Sequence, residues 1–159
     1  MDGTSQGVVS LSCNGFSASL HIGDESQHDL GLIEGNVSLN SSDRSDLYIS
    51  GSFSIYMLDL TRLCTMLNEH ISDLSRQIIQ DRVWVPIDLS FQVNMLDGEI
   101  ESIQGSYNGY FTISIMINLK RSDNNSDNVY AGFSGTVQVS SVLEFTEILT
   151  EILADRYAG

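Results

Sequence analysis

Basic residues are scarce in this chain. Seven Lys and Arg stand against 21 Asp and Glu in 159 residues, for a formal net charge of −14. A surface of that sign repels phosphate, which argues against nucleic acid and anionic membrane as partners and favours a basic protein. Cysteine occurs twice, as Cys13 and Cys64. Thiols so far apart in sequence make neither a C-x-x-C redox pair nor half of a zinc knuckle, so both are read as reduced, structural thiols. No apolar run approaches the roughly 20 residues of a membrane span. The N-terminal stretch Met1–Gln6 has neither the basic nor the apolar region of a signal peptide, so a cytoplasmic location is expected.

Catalytic signatures are also missing. His21, His28 and His70 are scattered, with no pair at i and i+4 to hold zinc. A His28, Asp24 and Asp29 metal patch is conceivable, but solvated loop residues are the simpler account. The run Asp123–Asn128 opens like a calcium loop, but Asn128 replaces the glycine and Ser134 the bidentate glutamate that such a loop needs. No glycine-rich phosphate loop and no G-x-S-x-G elbow is present. Cys64 and His70 share one expected helix at a spacing that points them apart. A non-enzymatic chain that needs no cofactor is therefore expected.

What the chain does have is strand and helix periodicity at the length of one domain, residues 1–159. Ile87, Leu89, Phe91, Val93 and Met95 alternate with polar residues, as do Phe111, Ile113, Ile115, Ile117 and Leu119. Asp97-Gly98 and Asn108-Gly109 resemble the dipeptides of tight hairpin turns, which predicts a three-stranded meander with a bulge at Gly105. Val129, Ala131, Phe133, Gly135, Val137 and Val139 mark the inner face of a further strand, Ile49, Phe53, Ile55 and Met57 that of another, and weaker strand signals occupy residues 8–12, 16–22 and 36–39. One amphipathic helix is expected to carry Leu60, Leu63, Cys64, Leu67, Ile71, Leu74 and Ile78. A second follows a capping box of Ser141 and Glu144 and carries Phe145, Ile148, Leu149 and Ile152.

A Gly-x-Phe-x-Ile strand at Gly51 and a Gly-x-Val-x-Val strand at Gly135 each run into a helix, an internal echo. The expected fold class is α+β: one antiparallel sheet of about six to seven strands with two helices packed on one face. Trp84, in Val83-Trp84-Val85-Pro86, reads as a core anchor.

Two acidic groups are the candidate partner-binding residues: Asp24, Glu25, Asp29 and Glu34 in the N-terminal part, and Asp97, Glu99 and Glu101 beside the expected turn. The helical row Glu144, Glu147 and Glu151 reads as a solvated face. Tyr48, Tyr56, Tyr107 and Tyr110, expected to face solvent, would suit an alternative role as an accessory module that forms homodimers or binds another protein.

The order of parts, carried by Gly51–Leu67, Pro86–Gly105 and Gly135–Leu153, resembles the WapI-like immunity proteins of bacterial contact-dependent toxin systems. The resemblance implies a non-catalytic inhibitor that binds and neutralises the C-terminal domain of a cognate toxin. It supplies no binding residues. Many such toxins have basic clefts, and an acidic chain would complement them.

Overall fold

The computed structural model describes residues 7–26, 29–120 and 128–158. Within them the chain runs β1 (Val8–Ser12), β2 (Phe16–Glu25), β3 (Leu32–Ser41), β4 (Tyr48–Tyr56), α1 (Met57–Ser75), β5 (Arg82–Trp84), β6 (Phe91–Ile103), β7 (Ser106–Asn118), β8 (Tyr130–Gln138) and α2 (Val139–Ala158). No described helix is long and apolar enough to cross a membrane.

The expected single sheet of six to seven strands is corrected. There are two four-stranded antiparallel sheets, ordered β1-β2-β3-β4 and β5-β6-β7-β8. Alternation told which side chains face inward; it carries no record of which strands pair. The echo between Gly51 and Gly135 marks the ends of two successive ββββα units.

The units interlock. Helix α1 follows the first sheet but packs mainly on β6 of the second, and α2 lies across β1 of the first sheet, β7 of the second, and α1. One continuous core results, containing Phe16, Leu39, Phe53, Leu60, Leu67, Phe91, Phe111, Ile115 and Leu149. Phe16 stacks on Phe133, and Phe53 meets Phe91, joining the sheets through aromatic pairs. Burying each large apolar side chain contributes about 1.5–3 kcal/mol, which is how a chain with no disulfide holds together. Cys13 and Cys64 are free thiols; burial pushes Cys13 up to about 12 and raises Cys64 as well.

Three local expectations also change. Asp97-Gly98 and Asn108-Gly109 are not turns: β6 and β7 run straight through them as one long hairpin, with a bulge between Met95 and Gly98. The turn is Gln104-Gly105, with φ of 51° and 82°, where the bulge was expected. Ile87 and Leu89 precede β6 instead of belonging to it, because Asp88 builds a loop there. Its Oδ1 accepts from the Ser90 amide and its Oδ2 from the Ser54 amide. Helix α2 starts at Val139, so Ser141 lies in its first turn and not at a cap.

Candidate partner-binding surfaces

The two acidic groups lie on different sheets. Asp24, Glu25, Asp29 and Glu34 occupy the β2–β3 hairpin of the first sheet, and Asp97, Glu99 and Glu101 line β6 of the second. Three of the seven have local work. Glu25 accepts from the Gly31 amide at 2.5 Å, closing the β2–β3 turn. Asp29 accepts from the Tyr56 hydroxyl at 2.8 Å, and Asp97 from the Gly98 amide at 2.7 Å. The charge of Asp29, after the hydrogen bond itself, raises the Tyr56 pKa. Asp24, Glu34, Glu99 and Glu101 are exposed, and none forms a salt bridge among the described residues. Glu99 and Glu101 share one face of β6, opposite Tyr110 and Asn108.

The described arginines are already engaged. Arg44 pairs with Asp46, Arg62 with Asp59, Arg76 with Asp73, and Arg82 with Asp73 and more distantly Glu69. Arg156 donates to the backbone carbonyls of Ile22 and Gly23. Little positive charge is left to balance the acidic groups. The Arg82 and Arg76 guanidiniums hold the Asp73 carboxyl below its usual range.

Three exposed apolar side chains that sequence reasoning missed stand on segments joined at the N-terminus of α1, near the first acidic group. Leu30, Leu58 and Ile87 are 81%, 73% and 70% exposed, the three most exposed large apolar side chains described. Hydrogen bonds bring their backbones to the N-terminus of α1. The Met57 amide donates to the Gly31 carbonyl at 2.8 Å, and the Ile87 amide reaches Asp59 Oδ2 at 3.4 Å. Asp29, Tyr56 and Asp59 stand at the same corner. No local pattern signals this juxtaposition, because the three residues come from separate segments.

A third feature is the outer face of the first sheet. Its cross-strand rows are polar and almost uncharged: Ser10–Ser19–Ser38–Ser50, and Val8–His21–Asn36–Ser52. A hollow of about 670 Å³ opens there among His21, Glu34, Asn36, Ser52 and their neighbours. A second, of about 200 Å³, shares His21 and Asn36 with it and adds Ser38, Tyr48 and Ser50. The regular alternation of serines was the sequence signal for this face.

Cys64 and His70 do not meet. The Cys64 thiol faces α2, within 3.9 Å of the Thr146 carbonyl and 4.0 Å of the Thr150 hydroxyl. His70 faces β6, its Nε2 2.6 Å from the Leu96 carbonyl and its ring edge-on to Phe111. A carbonyl only accepts, so Nε2 carries the proton and the unpartnered, buried Nδ1 does not. Among the described residues, no group of three His, Cys, Asp or Glu is placed to hold a metal ion. His28 and most of the Asp123–Asn128 run lie outside the described residues.

His70 should make the fold acid-sensitive. Burial is the largest influence and lowers its pKa from 6.5, with the Leu96 bond opposing. A base whose folded pKa is depressed contributes stability that is fully present above its unfolded value and is lost as pH falls below it. Urea midpoints should therefore hold above about pH 6.5 and fall below it, by at most about 1.4 kcal/mol per pH unit. The variant His70→Gln, which keeps a donor for Leu96, should flatten that segment. An equal slope in the variant would assign the acid sensitivity elsewhere.

No family model and no curated protein matches the chain. Among solved structures it is similar to the plant transcriptional regulator PBF-2, at 12% identity and a TM-score of 0.41, over 92% of this chain and 79% of that one. A likeness of that size carries no functional argument.

Proposed function

We propose that this chain is a non-catalytic, immunity-type protein that binds a basic toxin domain and neutralises it. The binding surface is the corner at the N-terminus of α1, where Leu30, Leu58 and Ile87 supply apolar anchors and Asp29 with the β2–β3 acids supplies a negative rim. Interfaces between proteins are built this way, from buried apolar anchors within a polar border.

The observation that carries this reading is the charge imbalance at the surface. Exposed carboxylates such as Asp24, Glu34, Glu99 and Glu101 have no cationic partner among the described residues, while the described arginines are tied to the chain's own groups. Such a field accelerates encounter with a basic partner and weakens as salt rises.

The test is affinity capture from the native source at low and moderate salt, with the chain as bait. A basic, toxin-type domain should be retained at equal stoichiometry, and retention should fall with salt. Leu30→Asp with Leu58→Asp should weaken it by a hot-spot amount, at least about 2 kcal/mol or roughly thirtyfold in Kd. Recovery of the chain alone would reject the toxin-binding reading in favour of self-association.

A further inference from the structure

We infer that β8 pairs with the β8 of a second copy of this chain, antiparallel and edge to edge, so that the second sheet continues from one molecule into the next. The contact uses none of the residues assigned to toxin binding above.

An open sheet edge is a template for further pairing, and proteins blunt it with short strands, charges, prolines, bulges or a cover. Three of the four edges here are blunted. β5 has three residues, Arg82 among them. β1 has five, with α2 packed on it. On β4 the Ser54 amide is taken by Asp88. β8 has none of these devices over most of its length. Its nine residues, Tyr130–Gln138, include no charge and no proline, and their register with β7 runs through without a shift.

Two hydrogen bonds fix which backbone groups lie on that edge. In an antiparallel strand the N–H and C=O of one residue point the same way, and the direction alternates along the strand. The Val129 carbonyl accepts from the Leu119 amide, on the β7 side, so odd-numbered residues face β7. The Thr136 carbonyl accepts from the Asn14 amide on the other side, which ends the open stretch. Tyr130, Gly132 and Ser134 therefore present N–H and C=O outward, with no backbone partner there among the described residues. Gly132 must be glycine, because a Cβ would run into the Ile115 carbonyl oxygen of β7. With a two-fold axis at Gly132, Tyr130 meets Ser134 of the second copy and Gly132 meets its own counterpart, for about six backbone hydrogen bonds. Val129, 51% exposed, and Phe133, partly buried and stacked on Phe16, add apolar area along the same stretch.

Charge selects the occupant. Two copies, each at −14, repel one another wherever their carboxylates meet, and β8 is a strand that carries none. A basic partner finds no counter-charge on β8. An identical uncharged strand needs none, and its outward groups match those of β8 under the two-fold.

Sedimentation of the intact chain should show a reversible dimer whose share grows between about 10 µM and about 1 mM protein. Added salt should strengthen it, because screening relieves the mutual repulsion, whereas salt weakens the hold on a basic partner. Ser134→Pro removes an outward N–H that β7 does not use, and edge strands accept such a proline. It should weaken dimerisation at least about thirtyfold, because the two-fold removes two hydrogen bonds at once. Amide exchange of the parent chain gives an answer even if that variant unfolds. The Gly132 and Ser134 amides should slow as protein concentration rises, while those of Ala131 and Phe133, bonded to β7, should not change. A chain that stays monomeric at every concentration overturns the proposal. So does a dimer that a folded Ser134→Pro variant retains, and so does dimerisation that leaves Gly132 and Ser134 exchange unchanged.

Discussion

Replacing Trp84 by alanine should cost about 3–5 kcal/mol, the range for emptying a large aromatic site in a core. Domains of this kind have total stabilities of about 5–15 kcal/mol, so the variant should be marginal. The reason is where the ring sits. Trp84 ends β5, a strand of three residues, and is almost wholly buried, with its ring 5.1 Å from that of Phe91. Its Nε1 donates to the Asp59 carbonyl at 2.8 Å, fastening the first turn of α1 to the edge of the second sheet. Trp84→Phe keeps most of the apolar contact but leaves that carbonyl unmatched, and should lose about 1–3 kcal/mol. Urea unfolding followed by far-UV circular dichroism is the appropriate measurement, because Trp84 is the sole tryptophan and its removal silences the fluorescence. A loss below about 1 kcal/mol for the alanine variant would show that the core closes without this anchor.

Gly109→Ala should also be severe, at about 3 kcal/mol or more, because two penalties coincide. Gly109 has φ 136°, where L residues are strained, and a Cβ there would run into the Glu99 carbonyl oxygen and come within 2.8 Å of Ile100 Cα. Both obstacles are backbone of the paired strand and cannot rotate aside. Gly105→Ala is the control. Its φ is 82°, but a Cβ would meet nothing within 4 Å, so only the left-handed strain of about 1–2 kcal/mol remains. Equal midpoints for the two variants would mean that β6 can move away from β7 at this point.

The same glycine shows where the sequence was ambiguous. Asn-Gly and Asp-Gly dipeptides fit a hairpin turn, and a glycine inside a strand fits close backbone approach. Only the pairing decides between them, and Gly98 and Gly109 prove to be contact points within the long β6–β7 hairpin. Phe91, Val93, Ile113 and Ile115 were legible as inward-facing, because alternation is a property of each strand alone. Whether eight strands form one sheet or two depends on pairings between distant segments, and no local pattern encodes that. The acidic candidates were equally visible from composition. What could not be seen was that Leu30, Leu58 and Ile87 would gather beside one group of them, or that serines from four strands would align into a row.

Helices that reach across from their own sheet to the other have a consequence for how such a chain can be divided. A fragment ending after α1 would carry four paired strands with one face uncovered, and a helix whose principal seat, β6, is on the missing piece. The complementary fragment would have the seat and lack its occupant. The segment between Arg76 and Asp81 is exposed and joins the two units, so it is the place to cut. Severed there, the pieces should fold stably only together, each supplying what the other lacks. In that respect the chain is a covalently tethered pair of ββββα units of which the first lends its helix to the second while α2 spans both, and the tether replaces the concentration dependence a two-chain assembly would have.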